Sequence, residues 1–148
     1  MTIRVVLFFI ALIVLIVLAA WAFERARCAL GARRFRSTFG ASKDLLIVYT
    51  DSPHWGSYIE ENWLPRWGER AVILNRSRPW RPDEPAAKLW LVATGGRNHT
   101  PVAIVIPSSG KLVAIPFFAA FRDAKHGKPK ALHEAEARLT AAMGDPSG

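Results

Sequence analysis

Apolar and polar positions follow each other along this chain in blocks of different period, and each block predicts an element. Val5–Phe23 holds nineteen residues without a charge, mostly Leu, Ile, Val and Phe, which is the length of a membrane-crossing helix. Leu45–Tyr49 is a short apolar run bounded by Asp44 and the Thr50-Asp51-Ser52-Pro53 cluster, the pattern of a central strand. A helix is then predicted from Pro53, with Ser52 as its N-cap, because Ser accepts from orphan amides and Pro at the first position lacks one anyway. Trp55, Ile59, Trp63 and Trp67 recur every four residues and form its apolar face. Pro65 is expected to break or kink it.

Ala71–Asn75 is a second apolar run after this helix, as in a β-α-β unit with a parallel pair and a right-handed crossover. Arg76–Pro85, with prolines at 79, 82 and 85, predicts an irregular loop. Pro85 can open a helix over Ala86–Ala93 that Gly95-Gly96 ends, although Leu89–Val92 also fits a strand. Val102–Ile106 and Lys111–Ile115 flank Pro107-Ser108-Ser109-Gly110 and read as a β-hairpin. Phe117, Phe118 and Phe121 form a cluster on a short helix or turn, and His126–Pro129 is a loop. Lys130–Met143 is a final amphipathic helix with Leu132, Ala135, Leu139 and Ala142 on one side, and Gly144–Gly148 should fray. The expected division is an anchor over 1–24, a basic linker over 25–43 that can be part helical where the anchor continues, an α/β domain over 44–143 and a disordered tail over 144–148.

Charge changes the picture at one place. The chain carries +8 overall, and residues 1–43 hold seven Lys/Arg against one acidic residue while the remainder holds thirteen against eleven. The excess therefore sits beside the apolar span, where Arg25, Arg27, Arg33, Arg34 and Arg36 suit anionic lipid headgroups at about 1 kcal/mol each. Nucleic-acid binding would need the basic footprint on the folded domain itself. Because these arginines follow the span and only Arg4 precedes it, the positive-inside bias places the domain in the cytoplasm, on a single-pass inner-membrane protein. The competing reading is a secretory signal peptide, since Ala20-Trp21-Ala22 fits a small-x-small cleavage pattern; cleavage, or an N-terminus retained inside, would make the domain periplasmic. The apolar run exceeds the usual ~7–15-residue signal core, which favours the anchor.

The order strand, helix, strand, helix, strand, strand, helix, with a polar turn at the start of the first helix and Thr100-Pro101 just before the third strand, resembles the thioredoxin-like fold over about Lys43–Met143. That resemblance implies a β-α-β-α-β-β-α domain in which Pro101 occupies a cis-proline position facing Ser52-Pro53-His54-Trp55. The chain departs from the family where its chemistry lies. Cys28 is the single cysteine, and thiol–disulfide exchange needs a thiolate and a resolving partner, so disulfide oxidoreductase activity is excluded. The phrases DSPHW, YIEENWLP and FRDAKHGKP also resemble a family of small bacterial membrane-anchored proteins, a likeness that implies no activity.

Asp51, Ser52 and His54 sit where open α/β sheets bind ligands, beyond the carboxyl end of a strand. They serve equally as turn and capping residues. His99 precedes Thr100-Pro101 and could approach His54; with Asp51 the two would form a metal set. Pro53 stands where an Asp-x-Asp phosphatase pattern would need its second acid. Glu60 and Glu61 are adjacent, so on a helix they diverge by about 100° and read as a solvated face. Trp80, between Arg78 and Arg81 in a proline-rich loop, is the best candidate for a partner contact, since Trp and Arg are favoured interface anchors. Lys125, His126, Lys128 and Lys130 make a basic loop, most simply solvated. No complete catalytic motif, cofactor signature or metal-ligand spacing emerges. The expectation is a non-redox module acting through contacts with an unidentified protein at Trp55, Arg78, Trp80, Arg81 and Pro101, with a small hydrolase or transferase using Asp51, Ser52, His54 and His99 as the alternative.

Overall fold

The structure, a computed structural model, describes residues 2–96, 99–108 and 111–144. It is a mixed α/β structure. The apolar N-terminal run lies in α1 (Ile3–Phe39), a single helix of 37 residues, about 55 Å long at 1.5 Å per residue. Its apolar window has a mean hydropathy of 3.2 and is covered by no other part of the chain, so the helix is long and apolar enough to cross a membrane.

Among the described residues four strands follow: β1 (Leu45–Tyr49), β2 (Ala71–Asn75), β3 (Val102–Val105) and β4 (Val113–Pro116). They form one sheet in the order β2-β1-β3-β4. The β1–β2 pair is parallel, with Leu45 opposite Ala71 and Tyr49 opposite Asn75. The β1–β3 and β3–β4 pairs are antiparallel. Val48 lies opposite Val102, so the chain enters β3 at the end where β1 leaves the sheet. The Thr100–Pro101 bond there is cis. The hairpin expected at Val102–Ile115 is present as β3–β4; Ser109 and Gly110 of its turn lie outside the described residues, as do residues 145–148 of the tail.

All five residues of β1 are buried, and their alternation divides the core. Leu45, Ile47 and Tyr49 face one layer, with Ile59, Trp63, Phe117, Phe121 and Leu139. Leu46 and Val48 face the other, with Phe35, Leu89, Trp90, Ile104 and Ile106. A strand covered on both faces must be apolar throughout, which is why β1 reads as a continuous run rather than an alternating one. The first layer is supplied by α2 (Gly56–Tyr58), α3 (Leu64–Trp67), α5 (Phe118–Lys125) and α6 (Lys130–Met143). The second is supplied by α4 (Pro85–Ala93) and the last turns of α1.

This second layer corrects the expected linker. Residues 25–39 continue α1 without interruption, and Phe35 is fully buried beside Phe39 at a ring separation of 4.8 Å. Ala32, Phe35 and Phe39 recur at three and four residues and all pack on the α4 layer, a helical stripe that the surrounding arginines disguise. Leu89–Val92 is helical within α4, so its strand reading falls; its flanks, Pro85 and Gly95 at φ +62°, are ordinary helix boundaries.

The aromatic helix departs from expectation in two ways. Ser52 does not cap it: Pro53–Trp55 form a turn, Ser52 Oγ accepts the His54 amide at 3.3 Å, and α2 begins at Gly56. Nor does Pro65 break it. A spacing of four on a 3.6-residue turn rotates the apolar face by about 40° per step, or about 120° from Trp55 to Trp67. The segment Ile59–Trp63 is a π turn, in which Leu64 donates to the Ile59 carbonyl. Its wider winding cancels much of that drift. It also comes just before the residue that has no amide to donate, so Pro65 is accommodated in the first turn of α3.

Candidate functional site

The candidate site lies at the carboxyl end of β1 and β2. Parallel pairing brings Tyr49 and Asn75 side by side, so the turn after β1 and the loop after β2 leave the sheet together. The Asp51 carboxylate accepts from Asn75 Nδ2, the Asp51 amide donates to Ser77 Oγ at 2.9 Å, and the Ser77 amide donates to Asn75 Oδ1 at 2.9 Å. The Arg76 amide adds a bond to the Tyr49 carbonyl at 2.8 Å. Asp51 thereby locks the turn to the loop. Its carboxylate is not engaged in orienting His54.

His54 is exposed, and its Nε2 lies 3.3 Å from Lys125 Nζ, so a neutral imidazole there accepts from the ammonium. Lys125 comes from α5, and its part in this surface is invisible in a chain position that reads as a solvated basic loop. Trp55 is half-buried: its indole donates to the Thr50 carbonyl at 3.1 Å, and its ring packs on Phe118 and Phe121. Pro101 is buried, with its carbonyl accepting the Phe117 amide at 2.9 Å, so it supports the site rather than lining a contact surface. His99 is exposed. Among the described residues no group of three His, Cys, Asp or Glu is placed to hold a metal, so Asp51, His54 and His99 do not assemble the set considered above.

In the loop after β2, Trp80 turns out to be half-buried. Its ring meets Trp90 of α4 edge-on at 5.9 Å, and the Arg76 guanidinium lies over both rings, at 5.8 Å from Trp80 and 4.8 Å from Trp90. The ring quadrupoles attract the cation and so offset part of the cost of burying its Nε, which has no hydrogen-bond partner. Arg76, passed over in the sequence, is thus what anchors the loop, while Arg78 and Arg81 remain exposed and Arg81 pairs with Asp83 at 2.8 Å. The exposed surface of this end therefore includes Asp51, Pro53, His54, Ser77, Arg78, Pro79, Arg81 and Asp83.

Glu136 of α6 organises the layer beneath. One carboxylate oxygen accepts both Tyr58 Oη and Trp63 Nε1, each at 2.8 Å. Burial, then the hydrogen bond and the charge of Glu136, push the Tyr58 phenol up to about 12. Burial and Glu60 raise Tyr49 as well. These are the chain's two tyrosines. A phenol whose pKa is higher folded than unfolded favours the folded state while protonated. Stability is accordingly expected to be flat with respect to these groups below pH 10 and to fall as pH rises from 10 towards 12. An alkaline titration followed by tyrosinate absorbance and circular dichroism checks this; phenol ionisation near pH 10 with the fold intact would contradict it.

The juxtamembrane arginines do not behave alike. Arg25 stacks over Trp21 at 4.8 Å and Arg27 over Phe23 at 5.7 Å, while Arg27 also pairs with Glu24 at 3.1 Å. Arg33 and Arg34 are exposed. Arg36 instead donates to the Ile106 and Pro107 carbonyls, fastening α1 to the end of β3. Set against known proteins, the chain matches no family model, no curated protein and no solved structure.

Proposed function

We propose that this chain is a membrane-anchored, thioredoxin-like module without redox chemistry, which binds a protein partner through the joined turn and loop at the end of β1 and β2. The observation that carries this reading is the Asp51–Asn75–Ser77 bridge, which makes one exposed surface of two segments 26 residues apart. The β2-β1-β3-β4 order with one parallel and two antiparallel pairs supports the thioredoxin-like assignment. Anchoring is supported by the uncovered apolar window of α1, and by the position of Ala20-Trp21-Ala22 inside an unbroken helix rather than in an extended segment open to a peptidase. The cluster of arginines after the span supports a cytoplasmic domain at the inner membrane of a bacterium. Arg78, exposed and without an acidic partner within ion-pair distance among the described residues, fits a partner of acidic chemistry, and charge of this kind acts mainly on encounter rate and orientation.

The test is a photo-crosslinking amino acid at position 78 of the full chain, in membranes of the producing cell, compared with the same group at position 138 on α6. A discrete adduct from 78 alone, lost when Arg81→Glu is added, is expected. No adduct from 78, or the same adducts from both positions, would overturn the reading.

A further inference from the structure

A second site lies where α1 meets α4. The two helices approach closely because Gly31 has no side chain: a Cβ there would come within 3.3 Å of Leu89 Cδ1. Beside that contact they diverge around a groove of about 630 Å³, lined by Arg27, Leu30 and Arg34 of α1 and by Lys88, Leu91 and Val92 of α4. Positions 27, 30 and 34 form one helical stripe, and 88, 91 and 92 another, so each wall carries cations and apolar side chains together.

The charges of the lining do not cancel. Arg27 shares Glu24, and Asp83, the carboxylate at the groove's edge, is held by Arg81. Among the described residues Arg34 and Lys88 have no acidic partner within ion-pair distance. The position of the groove decides what kind of anion suits it. The groove begins at the membrane and runs outward from it: Arg27 stands four residues past the end of the uncharged run at Phe23, about 6 Å along the helix and within the depth of the headgroup layer, and Arg34 stands about 10 Å further out, so that only a long side chain directed back along the helix brings its charge towards that layer. A phosphodiester in the adjoining leaflet supplies the negative charge that Arg27, Arg34 and Lys88 call for, and Leu30, Leu91 and Val92 can pack on its glycerol and headgroup carbons.

We propose that the α1–α4 groove binds the headgroup of an anionic phospholipid and so holds the domain in a fixed orientation on the membrane surface. The inference rests on the reading of α1 as a membrane span, and the two can fail separately. Flotation of the full chain with vesicles of phosphatidylcholine alone tests the span without calling on the groove. The groove is tested by native mass spectrometry of the full chain in detergent, with equal amounts of phosphatidylglycerol and phosphatidylcholine. Phosphatidylglycerol is expected to be retained in preference, and Arg34→Gln with Lys88→Gln should reduce that preference about tenfold or more. Arg122→Gln with Arg138→Gln, an equal loss of charge on α5 and α6, should leave it unchanged. An undiminished preference in R34Q/K88Q, or an equal loss in R122Q/R138Q, would overturn the site. Displacement of the lipid by inorganic phosphate at matched concentration would overturn the lipid as its occupant.

Discussion

Trp63→Ala is expected to cost about 4 kcal/mol of stability, within the range for deleting a large buried aromatic. Trp63 is 1% exposed and lies at the centre of the aromatic layer, edge-on to Phe117 at 4.5 Å and to Trp67 at 5.9 Å, with Phe121 at 5.7 Å. Removing the indole leaves a cavity among rings whose own packing fixes them, so collapse around it is poor. It also takes one of the two donors from the Glu136 carboxylate, leaving a partly buried charge less well satisfied. Set against a typical total of about 5–15 kcal/mol, this is a large fraction. Trp63→Phe separates the two effects, because it keeps much of the volume and loses only the N–H. Urea denaturation of the full chain followed by circular dichroism measures both. A loss for the alanine variant below about 1 kcal/mol, the size of an ordinary substitution, would show that the aromatic layer does not hold the domain together.

The second large effect is expected at Phe35→Ala, at about 3–4 kcal/mol. Here the interest lies in what is being held. Phe35 is fully buried against the α4 face of the sheet, although it belongs to the same helix as the apolar span. If the basic stretch were a tether, its side chains would be worth little to the domain. As part of the core it should behave as a core helix does, and hydrogen exchange should rise along residues 28–39 and α4 together, because they share one cooperative layer. Leu30→Ala, on the exposed side of the same helix at 49% exposure, is the comparison and should cost less than about 0.5 kcal/mol. Equal, small effects at both positions would return residues 28–39 to the role of a linker.

Much of the architecture was legible because it is local. β1, β2 and α6 occupy the residues expected of them, since continuous apolar runs of strand length and an amphipathic stripe of helical period are visible in a window of a few residues. The Pro85 start of α4 and the glycines after its end are likewise local punctuation. The helix after Ser52 was misjudged because two local signals competed with packing. Capping by Ser52 and a break at Pro65 are what the isolated segment favours, whereas the requirement to keep Ile59, Trp63 and Trp67 on one core face selected a later start and a π turn.

Other features depend on residues far apart in the chain. Residues 25–39 looked like a linker because charge outweighed the weak Ala32–Phe35–Phe39 stripe, and the stripe acquires meaning only when α4 is there to cover it. Trp80 looked exposed because nothing near it in sequence could bury it; Trp90, ten residues on, and Arg76 do so. His54 meets Lys125 of α5, a neighbour 71 positions away that no local pattern suggests. By itself the sequence determined the strands β1 and β2, the final helix, the single-cysteine bar to disulfide exchange and the apolar span, all of which follow from composition and short-range period. Only the tertiary structure decided that Asp51 joins turn to loop, that Glu136 organises the aromatic layer and that α1 completes the core. Each of those is set by the geometry of side chains brought together by strand pairing and layer packing, which no local window contains.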